Sequence, residues 1–192
     1  FHLHDPSSGS LIDRAVAAYR ASGNELDLGR ALAHSARINM QLLRTELALE
    51  RAEEAVAILD HRSDTSEFAY ALSTFAYVTW LYREDAHASL QIARRALAVA
   101  EGSGDTYVQI RALGTVGNIQ YSVGEAGGMA LLEMARALAS EIGDRDAEVR
   151  ALKNMTAMSA DFRHMALAMD LARRTIATAA RYDMRFVEVE AC

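Results

Sequence analysis

Cysteine, proline, lysine and long apolar runs are all scarce in this sequence, and each scarcity closes a class of explanation. The one cysteine, Cys192, is the last of 192 residues. No intramolecular disulfide can form, and a reducing, cytoplasmic setting is expected. The longest uncharged stretch, residues 68–82, carries Ser73, Thr74 and Thr79 and is shorter than the ~20 apolar residues that cross a bilayer. It reads as a buried helix, and no membrane contact is expected. Lysine occurs once, as Lys153 between Leu152 and Asn154, so the Gly-Lys-Ser/Thr of a Walker-type phosphate loop is missing. Twenty basic residues against 26 acidic ones leave a net charge of −6, the wrong balance for a segment that reads nucleic acid directly.

Against the single proline, Pro6, stand 37 alanines, and arginine outnumbers lysine 19 to 1. Alanine loses no side-chain entropy in a helix and proline would break one, so this composition favours long helices. With 51% hydrophobic and 24% charged residues, wholesale disorder is excluded. The sequence starts at Phe1 without a basic-then-apolar leader and stops inside residues 184–192, which read as a helix. It is expected to be a piece of a longer polypeptide.

What is present is a repeat. Ala15-Val16-Ala17, Ala55-Val56-Ala57, Ala96-Leu97-Ala98 and Ala135-Arg136-Ala137 each begin nine residues before a polar anchor: Asn24, Asp64, Asp105 and Asp144. After the anchors come Arg30-Ala31-Leu32, Tyr70-Ala71-Leu72, Arg111-Ala112-Leu113 and Arg150-Ala151-Leu152. The anchors are 40, 41 and 39 residues apart. A fainter fifth copy runs from Thr175-Ile176-Ala177 to Glu190-Ala191. At three anchors a glycine able to take left-handed geometry precedes an Asp or Asn able to cap the next helix. A second break falls near Arg44-Thr45, Glu84-Asp85, Gly124-Glu125 and Phe162-Arg163. Between breaks, apolar positions return at three and four, as in Ala93, Ala96, Leu97 and Ala100.

The fold class expected is therefore all-α: a right-handed superhelical stack of antiparallel helix pairs, about four and a half repeats over residues 10–192, after a flexible segment 1–9. One column of the first helices reads Ala36, Ala76, Gly117 and Thr156, each following a Ser35, Phe75, Val116 or Met155. Small residues at fixed offsets let helix axes approach, as in tetratricopeptide-type packing. The period exceeds the ~34 residues of that motif, so the helices are expected to be about a turn longer than usual.

Enzyme constellations are missing: there is no His-Glu-x-x-His pair, and Gln120-Tyr121-Ser122-Val123-Gly124 lacks the first glycine of a nucleophile elbow. No catalytic residue, cofactor or metal is assigned. His2, His4 and Asp5 lie on the terminal segment, a poor place to hold ligands rigidly. Gly124-Glu125-Ala126-Gly127-Gly128 reads as a turn between paired helices, since no basic residue accompanies it. His34, His61, His87 and His164 are scattered singly and read as surface or capping residues. Projected onto a stack, the first helices align Arg30, Tyr70, Arg111 and Arg150 in one row, Arg37, Tyr77, Asn118 and Met158 in a second, and Met40, Trp80, Tyr121 and Asp161 in a third. A concave groove of Tyr70, Tyr77, Trp80, Arg111, Asn118, Tyr121 and Arg150 is expected, since aromatics and arginine are enriched where peptides or ligands anchor. The alternative is that these aromatics fill gaps between long helices.

The segments Ala96 to Asp105, Arg111 to Gly117, Gly127 to Glu133 and Ala135 to Asp144 resemble the helical-repeat region of large ATP-dependent LuxR-type transcriptional regulators, relatives of the maltose-regulon activator. Arg136 departs from the usual apolar residue in its column. The resemblance implies a bacterial, non-catalytic sensor or scaffold. Such a region binds a partner protein, peptide or small-molecule inducer and signals to an ATPase and a helix-turn-helix domain outside this segment. The alternative is a general peptide-binding scaffold, fused or not to another signalling domain. Apolar faces at the ends of the segment make self-association an expectation too.

Overall fold

The computed structural model describes residues 6–184 apart from 84 and 162. Among them are nine α-helices and no strand: α1 (Pro6–Ser22), α2 (Glu25–Gln41), α3 (Thr45–Leu59), α4 (Ser66–Tyr82), α5 (Ala86–Ser103), α6 (Thr106–Ser122), α7 (Gly128–Glu141), α8 (Arg145–Asp161) and α9 (Met165–Arg181). The chain is thus all-α, with paired helices joined by short turns. It divides into two compact units, Phe1–Val108 and Gln109–Cys192, with the boundary inside α6. Helix α1 starts four residues before the boundary expected at residue 10. Proline fits there because the first helical N–H has no partner in any case. His2, His4, Asp5 and the helix expected over residues 184–192 fall outside the described residues, save Met184.

In the first unit, α1 packs on α2, α2 on α3, α3 on α4 and α4 on α5, with α2 also meeting α4. The alanines sit where the helices press together: Ala36, Ala48, Ala52, Ala55, Ala76, Ala93, Ala96 and Ala100 are all fully buried. In the second unit, α7 packs on α8 and α8 on α9, around Leu132, Leu152, Met155 and Leu171.

Three of the four anchors cap helices as expected. Asn24 Oδ1 accepts from Asp27 N–H at 3.2 Å, Asp105 Oδ1 from Val108 N–H at 3.2 Å, and Asp144 Oδ1 from Ala147 N–H at 3.0 Å. Each follows a left-handed glycine, Gly23, Gly104 or Gly143, with φ of 69°, 71° and 73°. The second copy differs. It has no glycine, so α3 unwinds through a 3₁₀ turn at Asp60–Arg62, and the cap moves one residue on, from Asp64 to Thr65, whose Oγ1 accepts from Phe68 N–H at 3.3 Å.

Three of the turns between the first and second helix of a pair share one hydrogen-bond pattern. After α2, Arg44 N–H reaches Asn39 O at 2.9 Å and Leu43 N–H reaches Met40 O at 3.1 Å; after α6, Glu125 N–H reaches Gln120 O at 3.0 Å and Gly124 N–H reaches Tyr121 O at 3.1 Å. The same bonds close α8, from His164 to Ser159 and from Arg163 to Ala160. This is the Schellman closure, in which the residue after the cap is left-handed. Only Gly124 suits it; Leu43 and Arg163 hold φ of 57° and 61° without being glycine.

Candidate functional site

The first unit carries a groove of about 430 Å³, within the range of about 300–1,000 Å³ that ligand sites occupy. Three helices and the start of a fourth supply its walls. Ile12, Ala15 and Tyr19 come from α1, and Asp27, Arg30, Ala31 and His34 from α2. The α2 residues follow an i, i+3, i+4, i+7 pattern, one face of a helix. Ser66, Glu67 and Tyr70 line it from the first turns of α4, and Asp105, Tyr107 and Val108 from the cap and first turn of α6.

Tyr70 is 4% exposed. Its hydroxyl lies 3.1 Å from His34 Nδ1, and the two rings stack at 4.8 Å with a 39° tilt. His34 is half-buried and fixes the Tyr70 ring from across the α2–α4 contact, so it is not the isolated surface histidine that the sequence suggested. Tyr107 is 41% exposed and Tyr19 half-buried. Arg30 is exposed and lies 3.7 Å from Asp27, one turn earlier on the same helix.

Of the seven residues expected in the groove, Tyr70 lines it and the other six do not. Tyr77 and Trp80 lie two to three turns further along α4, half-buried, and meet edge to face at 5.5 Å and 63°. Arg111, Asn118, Tyr121 and Arg150 belong to the second unit. There Asn118 is 2% exposed, and its Oδ1 has no hydrogen-bond partner among the described residues. Arg111, Tyr121 and Arg150 are half-buried, and the Tyr121 hydroxyl lies 3.0 Å from His164 Nδ1.

The glycine-rich turn has a packing role. A Cβ on Gly128 would meet Tyr121 N at 2.6 Å and Gly117 O at 2.7 Å, and a Cβ on Gly117 would meet Gly128 O at 2.9 Å. Glycine at both places lets α6 and α7 touch backbone to backbone, the close crossing expected of the small-residue column.

Arg136, the outlier of its column, turns inward to a charge cluster that no sequence pattern announced. Glu148 on α8 is 4% exposed. Its carboxylate accepts from Arg136 Nη1 on α7 at 3.3 Å, from Arg181 Nη2 on α9 at 3.5 Å and from the Tyr182 hydroxyl at 2.7 Å. Arg136 also donates to Glu133 at 2.8 Å, and the Arg145 and Arg181 guanidinium groups lie 5.1 and 4.6 Å from the Tyr182 ring centre. The cluster ties three helices of the second unit together. Among the described residues no group of three or more His, Cys, Asp or Glu side chains is placed to hold a metal ion, and no helix is long and apolar enough to cross a membrane.

No protein-family model matches this chain, and no curated protein sequence does. Solved structures do. A Rap protein complexed with competence and sporulation factor superposes with a TM-score of 0.75 at 17% identity, over 96% of this chain and 54% of that one. A protein of nearly identical TPR-like repeats from Podosopora anserina gives 0.60 at 13% identity, over 93% and 88%. The Signal Transduction ATPase with Numerous Domains from Pyrococcus horikoshii, a protein with a tetratricopeptide repeat sensor, gives 0.59 at 17% identity, over 87% and 26%. The chain spans about half the length of the Rap protein and about a quarter of the ATPase. At these identities the likeness concerns the fold: this is a stack of TPR-like helical repeats.

Proposed function

We propose that this chain is a non-catalytic binding scaffold, the sensor region of a bacterial, cytoplasmic transcriptional regulator of the LuxR type. It takes up a peptide or protein partner, or a small-molecule inducer, and passes the change to ATPase and DNA-binding domains elsewhere in a longer polypeptide. The groove between α1, α2, α4 and the start of α6 carries this reading. It is concave and mixed in character, with the Tyr70 ring held in place by His34, the kind of preformed surface that saves ordering entropy on binding. The repeat architecture suits the role, since small shifts at successive helix interfaces sum along a stack. Of two structures of like fold, one is a complex with competence and sporulation factor and the other contains a tetratricopeptide repeat sensor in a signal-transduction ATPase. The regulator context rests on the resemblance of residues 96–144.

Two measurements test the two halves. The coding sequence flanking this segment should hold a Walker loop upstream and a helix-turn-helix downstream; their absence retires the regulator and leaves the general scaffold. Hexapeptides selected against the chain from a random display library should lose affinity by about tenfold on Tyr107→Ala, a typical loss for an aromatic anchor, while the circular dichroism is unchanged. Undiminished binding would place the site elsewhere.

A further inference from the structure

The charges around the groove are one-sided, and this deepens the scaffold reading, on which it rests. Asp27, Glu67 and Asp105 line the groove against one guanidinium, Arg30. Asp27 spends its charge on Arg30 at 3.7 Å. Glu67 and Asp105 form no ion pair among the described residues; they accept from neutral donors, the Ser66 hydroxyl at 3.2 Å and the Val108 N–H at 3.2 Å. Such bonds orient a carboxylate and leave its charge in place.

Residues from the caps and first turns of α2, α4 and α6, the positive ends of these helices, line this groove, which by itself would suit an anion. Each end is already met by an acidic residue of the chain: Asp27 in the first turn of α2, Glu67 in that of α4, and Asp105 at the cap of α6. An anionic ligand would face carboxylates at every one of these ends. A cation would meet them as partners, with tyrosine rings beside it to accept its charge on their faces and Ile12, Ala15 and Ala31 to cover an aliphatic stem.

We propose that the groove selects a basic peptide: an extended segment whose arginine or lysine lies against the tyrosines with its charge directed to Glu67 and Asp105. Arg30 is then the element that opposes the ligand's charge, so removing it tightens binding, whereas removing Glu67 weakens it.

The test uses the whole chain and synthetic hexapeptide pools, randomised except at one position fixed as arginine, leucine or glutamate, followed by fluorescence anisotropy. The arginine pool should bind about tenfold tighter than the glutamate pool at low salt, with the gap narrowing as salt rises. For the arginine pool, Glu67→Gln should lower affinity about fivefold and Arg30→Gln should raise it by about twofold or more, each with unchanged helicity. Equal affinity for arginine and glutamate pools overturns the proposal, as does an arginine preference untouched by both substitutions. Putrescine competing as tightly as the arginine pool overturns the peptide assignment. If all pools bind alike and Tyr107→Ala weakens each, the basic specificity fails and the scaffold stands; if no pool binds, both fail.

Discussion

The two units bring helices into close contact by different means. In the first, Gly29 of α2 lies under the Leu59 side chain of α3, where a Cβ would stand 2.5 Å from Leu59 Cγ. In the second, Gly128 of α7 lies against the backbone of α6, at Tyr121 N and Gly117 O. A leucine can rotate; a peptide plane inside a helix cannot. The second unit also buries a carboxylate, Glu148, among groups from α7, α8 and the end of α9, whereas the ion pairs of the first unit, such as Arg51–Glu54, involve partly or well exposed side chains. The repeat scheme is one, but the close glycine contact of the first unit rests on a side chain, and that of Gly128 in the second rests chiefly on backbone.

The largest effect should follow from Gly128→Ala. The added methyl would overlap two backbone atoms at 2.6 and 2.7 Å, so α6 and α7 must part. A loss of about 3 kcal/mol or more is expected, read as an early unfolding phase in urea. If the loss stays below about 1 kcal/mol, the backbone crossing is looser than the geometry shows. Next comes Glu148→Gln, which keeps the shape and removes the charge. Arg136 and Arg181 have side chains 23% and 61% exposed, so both can regain water, and the expected cost is about 1–2 kcal/mol, less than a fully buried pair loses on breaking. A double-mutant cycle with Arg136→Gln should show the two costs to be less than additive.

Much of this architecture is legible in the residues. Three anchors, Asn24, Asp105 and Asp144, cap the helices that follow them because a polar cap after a left-handed glycine is a local signal, readable without tertiary context. Where the glycine is missing, before Thr65, the chain unwinds through three more residues and the cap slips by one; spacing alone cannot show that. The close column was read correctly at Gly117, yet its partner Gly128 lay in a run that looked like an ordinary turn. The cavity in the first unit opens two to three turns before Tyr77 and Trp80 on α4. Aromatic content points to Tyr77 and Trp80, which meet edge to face, whereas the cavity opens where Tyr70 meets His34 and the first turns of α4 and α6 converge. His34–Tyr70 and Arg136–Glu148 are contacts between residues 36 and 12 apart, set by how helices dock and not by any local pattern.

A smaller effect is expected in the first unit. Gly29→Ala gains helix propensity of about 1 kcal/mol but forces the buried Leu59 out of its rotamer, and a net loss of about 1 kcal/mol should result. A loss as large as that of Gly128→Ala would abolish the distinction between side-chain and backbone contacts drawn above.

The smallest effect carries the opposite sign. Leu43 and Gly124 occupy the same place in the Schellman turns that close α2 and α6, at φ of 57° and 74°, and Leu43 is 84% exposed. An L-residue in left-handed geometry costs roughly 1–2 kcal/mol, while glycine gives back about 0.4–1 kcal/mol through the greater freedom of its unfolded chain. Leu43→Gly should therefore stabilise the first unit by about 0.5 kcal/mol, seen as a higher urea midpoint with an unchanged slope. No atom lies within 4 Å of a Cβ built on Gly124, so Gly124→Ala meets backbone strain alone and should destabilise the second unit by a similar amount. Equal and opposite shifts would assign the difference between these turns to the left-handed residue itself; a destabilising Leu43→Gly would mean that the exposed leucine is held by contacts that outweigh its strain.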